Sequence, residues 1–176
     1  MIVRMIGTDI AIDLGTSRFK VYLDGKGIVI SEPSIIAVDN LTEEVIAVGG
    51  DAYNMLGRTS ERITVSRPLK NGVISDFSMA EQLISYYLRQ ISPSRVFMPR
   101  VVVSVPCNVT EVEKRAVVEA ITAAGVRKVC LIEEPVAAAI GAGIDITKPE
   151  GHMVVDIGGG TSYIAVISLK GVVESA

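Results

Sequence analysis

Ile10-Ala11-Ile12-Asp13-Leu14-Gly15-Thr16 and, near the other end of the chain, Met153-Val154-Val155-Asp156-Ile157-Gly158-Gly159-Gly160-Thr161 carry one pattern twice. In each, an apolar run that reads as a buried strand leads into an acidic residue and a glycine turn. In each, an alternating β-rich stretch follows, Phe19 to Leu23 and Tyr163 to Leu169. Strand, tight turn and returning strand, made twice, predict two hairpins. A lone Asp-x-Gly-Thr is most often only a turn. Two copies in the same context point to hairpins that face each other and hold a nucleoside triphosphate with its Mg²⁺ between them. Glycine lets backbone N–H groups come close to phosphate oxygens. Threonine hydroxyls add donors, and the aspartates suit Mg²⁺ held through its waters. The sequence has neither the glycine-lysine signature of a Walker loop nor a GxGxxG with an acidic residue at dinucleotide-binding distance.

Between the hairpins, strands and helices alternate. Asp24-Gly25 reads as a tight turn into a strand from Gly27 to Ile30. Short strands are predicted at Ser34 to Val38 and Val45 to Val48, then a short helix from Asp51 to Leu56 with Asp51 as N-cap and Gly57 as stop. The stretch from Arg58 to Asp76 reads as irregular. Ser78-x-x-Glu81 has the form of a capping box ahead of Leu83, Ile84, Tyr87, Leu88 and Ile91 at helical spacing. Thr110-x-x-Glu113 has the same form ahead of Ala116, Val117, Ala120, Ile121 and Ala124, with Gly125 as stop. Strands at Val101 to Val105 and Val129 to Ile132 flank that second helix and make a β-α-β unit. Pro135 to Ile140 reads as an alanine-rich helix with proline at its start. The class is α/β.

Composition narrows the function. About half of the residues are hydrophobic, 49%, which marks a globular chain and not a disordered one. Net charge is −3 and the basic residues are scattered, so nothing suggests a nucleic-acid surface. Cys107 and Cys130 stand at the ends of expected buried strands without metal-ligand spacing, and read as small core residues of a reducing compartment. His152 has no visible partner set and reads as a surface histidine. No apolar run approaches the ~18–20 residues that span a bilayer. The six residues before Gly7 are too short for a signal peptide.

With these stretches in view, the chain resembles the MreB family of rod-shape-determining bacterial actin homologues, within the actin, heat-shock chaperone and sugar-kinase ATPase superfamily. The resemblance rests on residues 12–16, on Gly27-Ile28-Val29 with Glu32-Pro33-Ser34, and on Asn54-Met55-Leu56-Gly57-Arg58-Thr59. It rests further on residues 67–76, on Val112-Glu113-Lys114-Arg115-Ala116, on residues 131–143 and on residues 153–161. It implies an actin-like (ribonuclease H-like) ATPase fold: a first large subdomain from residues 1–31 and 77–151, a small inserted subdomain at 32–76, and at 152–176 the first hairpin of a second large domain that is otherwise truncated. It implies ATP and Mg²⁺ as cofactors. Gly15, Thr16 and Ser17 would belong to the first phosphate loop, and Gly158, Gly159, Gly160 and Thr161 to the second. Asp13 and Asp156 would face the metal through water. Glu134, with Thr161, would serve hydrolysis by positioning the attacking water. Read from the residues alone, Glu134 is equally a carboxylate favoured by a helix N-terminus.

The resemblance also implies partners: copies of itself or a full-length relative in a filament, the inner face of the cell membrane, and cell-wall synthesis and morphogenesis proteins. Val96, Phe97 and Met98, between Arg95 and Arg100, would be an exposed membrane-dipping loop. From the residues alone they read equally as core. Three departures from the family stand out. Arg18 and Lys20 follow the first loop, where they either add phosphate contacts or face solvent. Tyr163 stands where the family has a glutamate. The chain is about half the family's length, so an adenine pocket is not expected in it, nor tight ATP binding by it alone. A short module that caps filaments of a full-length relative, and a fragment of a chaperone-type ATPase, are the alternatives.

Overall fold

Alternation of apolar and polar residues sets the first hairpin. β1 (Asp9–Leu14) buries Ile10, Ile12 and Leu14 on one face, and β2 (Arg18–Leu23) buries Phe19, Val21 and Leu23 on the same face. The two strands pair antiparallel, with Asp13 opposite Lys20. β3 (Gly27–Pro33) returns along β2 and runs past the expected end at Ile30. The computed structural model describes residues 9–91 and 99–176.

β4 (Ile36–Asp39), β5 (Val45–Val48), α1 (Gly49–Asn54) and β6 (Ile63–Ser66) follow, and the strands form an antiparallel sheet in the order β5-β4-β6. A small core of Ile35, Ala37 and Ala52 lies under it. Asp39 is buried but fully partnered: it accepts from the Leu41 and Thr42 amides and from Arg62 Nε at 2.7 Å. Two expectations need correction. Asp51 is not the N-cap of α1, because the helix starts earlier and the cap position is Val48, with no side-chain bond. Glu32 reaches across instead, its Oε2 accepting from Gly50 N at 3.1 Å. Residues 58–76 are not irregular: besides β6 they hold a hairpin of β7 (Leu69–Lys70) and β8 (Val73–Ile74). Its turn is Asn71-Gly72, both left-handed at φ 52 and 78, the pairing that a type I′ turn demands.

α2 (Phe77–Ile91) starts ahead of the expected Ser78 cap, since Asp76 Oδ1 takes the Met79 amide at 3.0 Å and caps the helix itself. β9 (Arg100–Val105) leads to α3 (Glu111–Ala123), which has the full Thr110–Glu113 capping box, and then to β10 (Lys128–Glu133). β1, β9 and β10 are parallel, and the sheet order is β10-β9-β1-β2-β3. α2 and α3 cover one face of this sheet. Leu83, Ile84, Leu88, Val117 and Ile121 pack there onto Ile10, Ile12, Phe19, Val21, Val101 and Val103. Phe19 stacks on Tyr87 with ring centroids 5.0 Å apart. At ~1.5–3 kcal/mol for each large apolar side chain, this layer is the main source of stability.

α4 (Glu134–Gly141) leaves the end of β10 directly and packs between that sheet and a second one of β11 (His152–Ile157), β12 (Ser162–Ser168) and β13 (Gly171–Ser175). Met153, Val155 and Ile157 are exposed along β11. Cys130, expected in the core, is exposed: Val129 and Leu131 take the core side of β10, an edge strand, and alternation turns Cys130 outward. Cys107 is half-buried just past β9. Among the described residues no helix is long and apolar enough to cross a membrane.

Candidate functional site

The parallel strands β1, β9 and β10 all end at one edge of the sheet, where ligands of open α/β sheets gather. There the turn after β1 meets the turn after β11. Asp13, Gly15, Thr16, Ser17, Glu134, Asp156, Gly158, Gly159, Gly160 and Thr161 line one cavity of about 380 Å³, together with Arg18, Lys20 and Ser104. Every residue singled out in the sequence for nucleotide, metal or hydrolysis is thus in one place. Val96, Phe97 and Met98 lie outside the described residues.

The two turns touch. A Cβ on Gly160 would lie 2.7 Å from Thr16 Cγ2 and 2.9 Å from Thr16 Oγ1, and one on Gly159 would run into the Ser17 side chain. Neither position has room for a side chain, so backbone faces the cavity. Each turn is braced from behind. Gly158 N donates to Thr161 O at 2.8 Å. Ser34 Oγ donates to Gly15 O at 2.6 Å, and Gly72 N donates to Thr16 Oγ1 at 2.8 Å. The Gly72 turn also abuts Tyr163: a Cβ on Gly72 would meet Pro106 Cγ at 2.7 Å and Tyr163 Oη at 3.2 Å. Tyr163, on the strand that follows the second turn, therefore lies against the β7–β8 hairpin.

Three carboxylates share the cavity, and they repel. Glu134 is pushed up from 4.5 to about 7, by burial first and then by Asp13 and Asp156. A helix N-terminus alone would have lowered it, so neighbours and burial outweigh the α4 dipole. Lys20 faces this group, with Nζ 3.0 Å from Asp13 Oδ2. Arg18 does not, because its guanidinium donates to Ser31 O at 2.8 Å on β3. Burial, then Glu133 and Glu134, push the Cys107 thiol up.

These residues fit a polyphosphate with Mg²⁺. Bare glycine backbone and hydroxyls are where phosphate oxygens need donors, and crowded carboxylates are short of a cation. Among the described residues no three acidic, cysteine or histidine side chains stand close enough to cage a metal directly. Sequence reasoning missed Ser34, Ser104 and the Gly72 turn. Only the last had a local signal, the Asn-Gly pair.

Comparison with known proteins bears on the site. The MreB/Mbl protein family matches residues 7–176. The chain is 49% identical over 179 residues to the cell shape-determining protein MreB of Escherichia coli K12, covering 98% of this chain and 51% of that protein. It is 46% identical over 173 residues to the cell shape-determining protein Mbl of Bacillus subtilis 168, covering 98% and 52%. Among solved structures, MreB5 of Spiroplasma citri bound to ADP superposes with a TM-score of 0.88 at 37% identity, over 98% of this chain and 52% of that one. The same protein bound to AMPPNP gives 0.87 over 97% and 52%. The chain spans about half the length of these relatives.

Proposed function

The chain belongs to the MreB/Mbl family, and from that premise we propose that it carries the phosphate-holding part of the ATP site of a bacterial actin-like, cell-shape-determining cytoskeletal subunit. One observation supports this above the rest: two glycine turns from different sheets meet in a cavity that also holds three carboxylates. The nucleotides bound by the Spiroplasma citri relative support the choice of an adenine nucleotide.

In this reading the backbone amides of Gly158, Gly159 and Gly160 and the hydroxyls of Thr16, Ser17 and Thr161 hold the phosphates. Mg²⁺, when bound, would supply positive charge that neutralises the phosphates. Asp13 and Asp156 would orient its waters. Glu134, at the head of α4, holds the water for in-line attack. With a carboxyl near 7 it is partly ionised at neutral pH, and can both accept a hydrogen bond from that water and take its proton. Thr161, on the turn facing it, fixes the water's position. The subunits would assemble with one another and lie in the cytoplasm against the inner membrane, held by Val96, Phe97 and Met98. Three inserted side chains bind weakly alone, and a filament binds by many copies.

Calorimetry with Mg-ATP, and with Mg-ADP as control, of this chain joined to a relative's second half tests the reading. Binding that is lost in Asp156→Asn supports it, and no binding to the joined chain with its wild-type turns refutes it. Glu134→Ala should leave binding in place and slow hydrolysis in a chain joined to a relative's second half. Loss of binding instead would remove Glu134 from the water-positioning role.

A further inference from the structure

Among the described residues, Lys20 is the basic side chain lining the cavity that points at its carboxylates. Its Nζ stands 3.0 Å from Asp13 Oδ2, whereas Arg18, two residues earlier on the same face of β2, is tied to Ser31. The pairing is fixed by the sheet. Asp13 and Lys20 are cross-strand partners in the β1–β2 register, so the two side chains emerge side by side. Asp13 is also the carboxylate assigned to the metal side in the reading above, on which this inference rests. An ammonium and a hydrated divalent ion both seek that carboxylate, and their like charges repel at such close range.

We propose that Lys20 is a resident counter-cation of Asp13, which a divalent ion must displace before it can use the Asp13 carboxylate. Three acidic groups face the cavity, and Lys20 neutralises one of them while no metal is present. A divalent ion arriving alone gains one carboxylate less and meets a positive charge beside the site. A metal arriving with a polyphosphate brings the anionic partners that Lys20 needs in order to let go. Metal and nucleotide therefore enter together, and the empty site resists loading by free divalent cation.

The test is Mn²⁺ binding to the nucleotide-free chain, read by the loss of the free-ion paramagnetic signal. A divalent ion and an ammonium about 5 Å apart repel, even at the dielectric of water, by enough to change affinity roughly tenfold. Lys20→Gln should bind Mn²⁺ about tenfold more tightly than wild type, and Lys20→Arg, which keeps the charge, should match wild type. Asp13→Asn added to Lys20→Gln should abolish the gain. Circular dichroism confirms that each variant is folded. Equal Mn²⁺ affinity in wild type and Lys20→Gln, or no detectable binding to either, overturns the proposal. ATP calorimetry separates the two readings: a chain that binds ATP with Mn²⁺ affinity indifferent to Lys20 keeps the nucleotide site and loses this inference. Tighter Mn²⁺ in Lys20→Gln without ATP binding does the reverse.

Discussion

Replacing Glu134 by glutamine should make the chain more stable, and only above the acid range. The folded chain holds the Glu134 proton more tightly than the unfolded chain does, because the carboxyl titrates near 7 in place of 4.5. A raised carboxyl pKa costs nothing below the unfolded value. Stability then falls as pH climbs from 4.5 through about 7, and is level above that. The gap between the two values, converted at about 1.36 kcal/mol per pH unit, is roughly 3 kcal/mol. Part of the carboxyl faces solvent, so screening reduces this to roughly 1–2 kcal/mol. Glutamine keeps the shape and removes the charge. Urea unfolding of both chains, from about pH 4 to about pH 8, measures the difference directly. The expected curve starts near a constant offset, rises in favour of Glu134→Gln across the window from 4.5 to 7, and then flattens. In a thermal melt the same 1–2 kcal/mol is roughly 2–8 °C. A difference that stays flat with pH would mean that neither burial nor Asp13 and Asp156 raise the Glu134 carboxyl, and the electrostatic argument for a cation in this cavity would fail with it.

Gly160→Ala should drive the two turns apart, since its new Cβ would fall 2.7 Å from Thr16 Cγ2. An overpacking cost of about 1–3 kcal/mol should be accompanied by loss of Mg-ATP binding, in calorimetry of the chain joined to a relative's second half, with the circular dichroism spectrum retained, and unchanged binding would refute the close contact of the turns. Thr110→Ala removes the acceptor for Glu113 N and half of the α3 capping box. It should cost about 1 kcal/mol in urea unfolding without touching the site, and an unchanged midpoint would count against the cap. Val96→Ser with Phe97→Ser should release the chain from anionic liposomes in a pelleting assay, and unchanged pelleting would return those residues to the core reading.

The sequence by itself determined the two hairpins, the β-α-β unit and the acidic and glycine turn residues that come together in one cavity. Those features are local: a period of two along β1 and β2, a capping box written in four residues at Thr110, glycines where the chain must turn. Asn71-Gly72 is equally local, but the strands beside it are only two residues long each, too short to show a period of their own. The remaining differences are tertiary. Asp76 and not Ser78 caps α2, and Glu32 serves the start of α1 from 18 residues away, choices that depend on which carboxylate the packed chain brings within reach of an amide. Cys130 faces outward because it shares with its register partners Val102 and Ala11 the sheet face that α2 and α3 do not cover, which no window of sequence around it can say. The same holds at the site. Asp13 and Asp156 were legible as acidic turn residues, but Glu134 acquires its raised carboxyl pKa only when β1, β11 and the head of α4 converge. Arg18 and Lys20 look alike on the strand. The sheet separates them, giving one to Ser31 and the other to Asp13, because a charge settles on whichever opposite charge or carbonyl the neighbouring strand holds within about 3 Å.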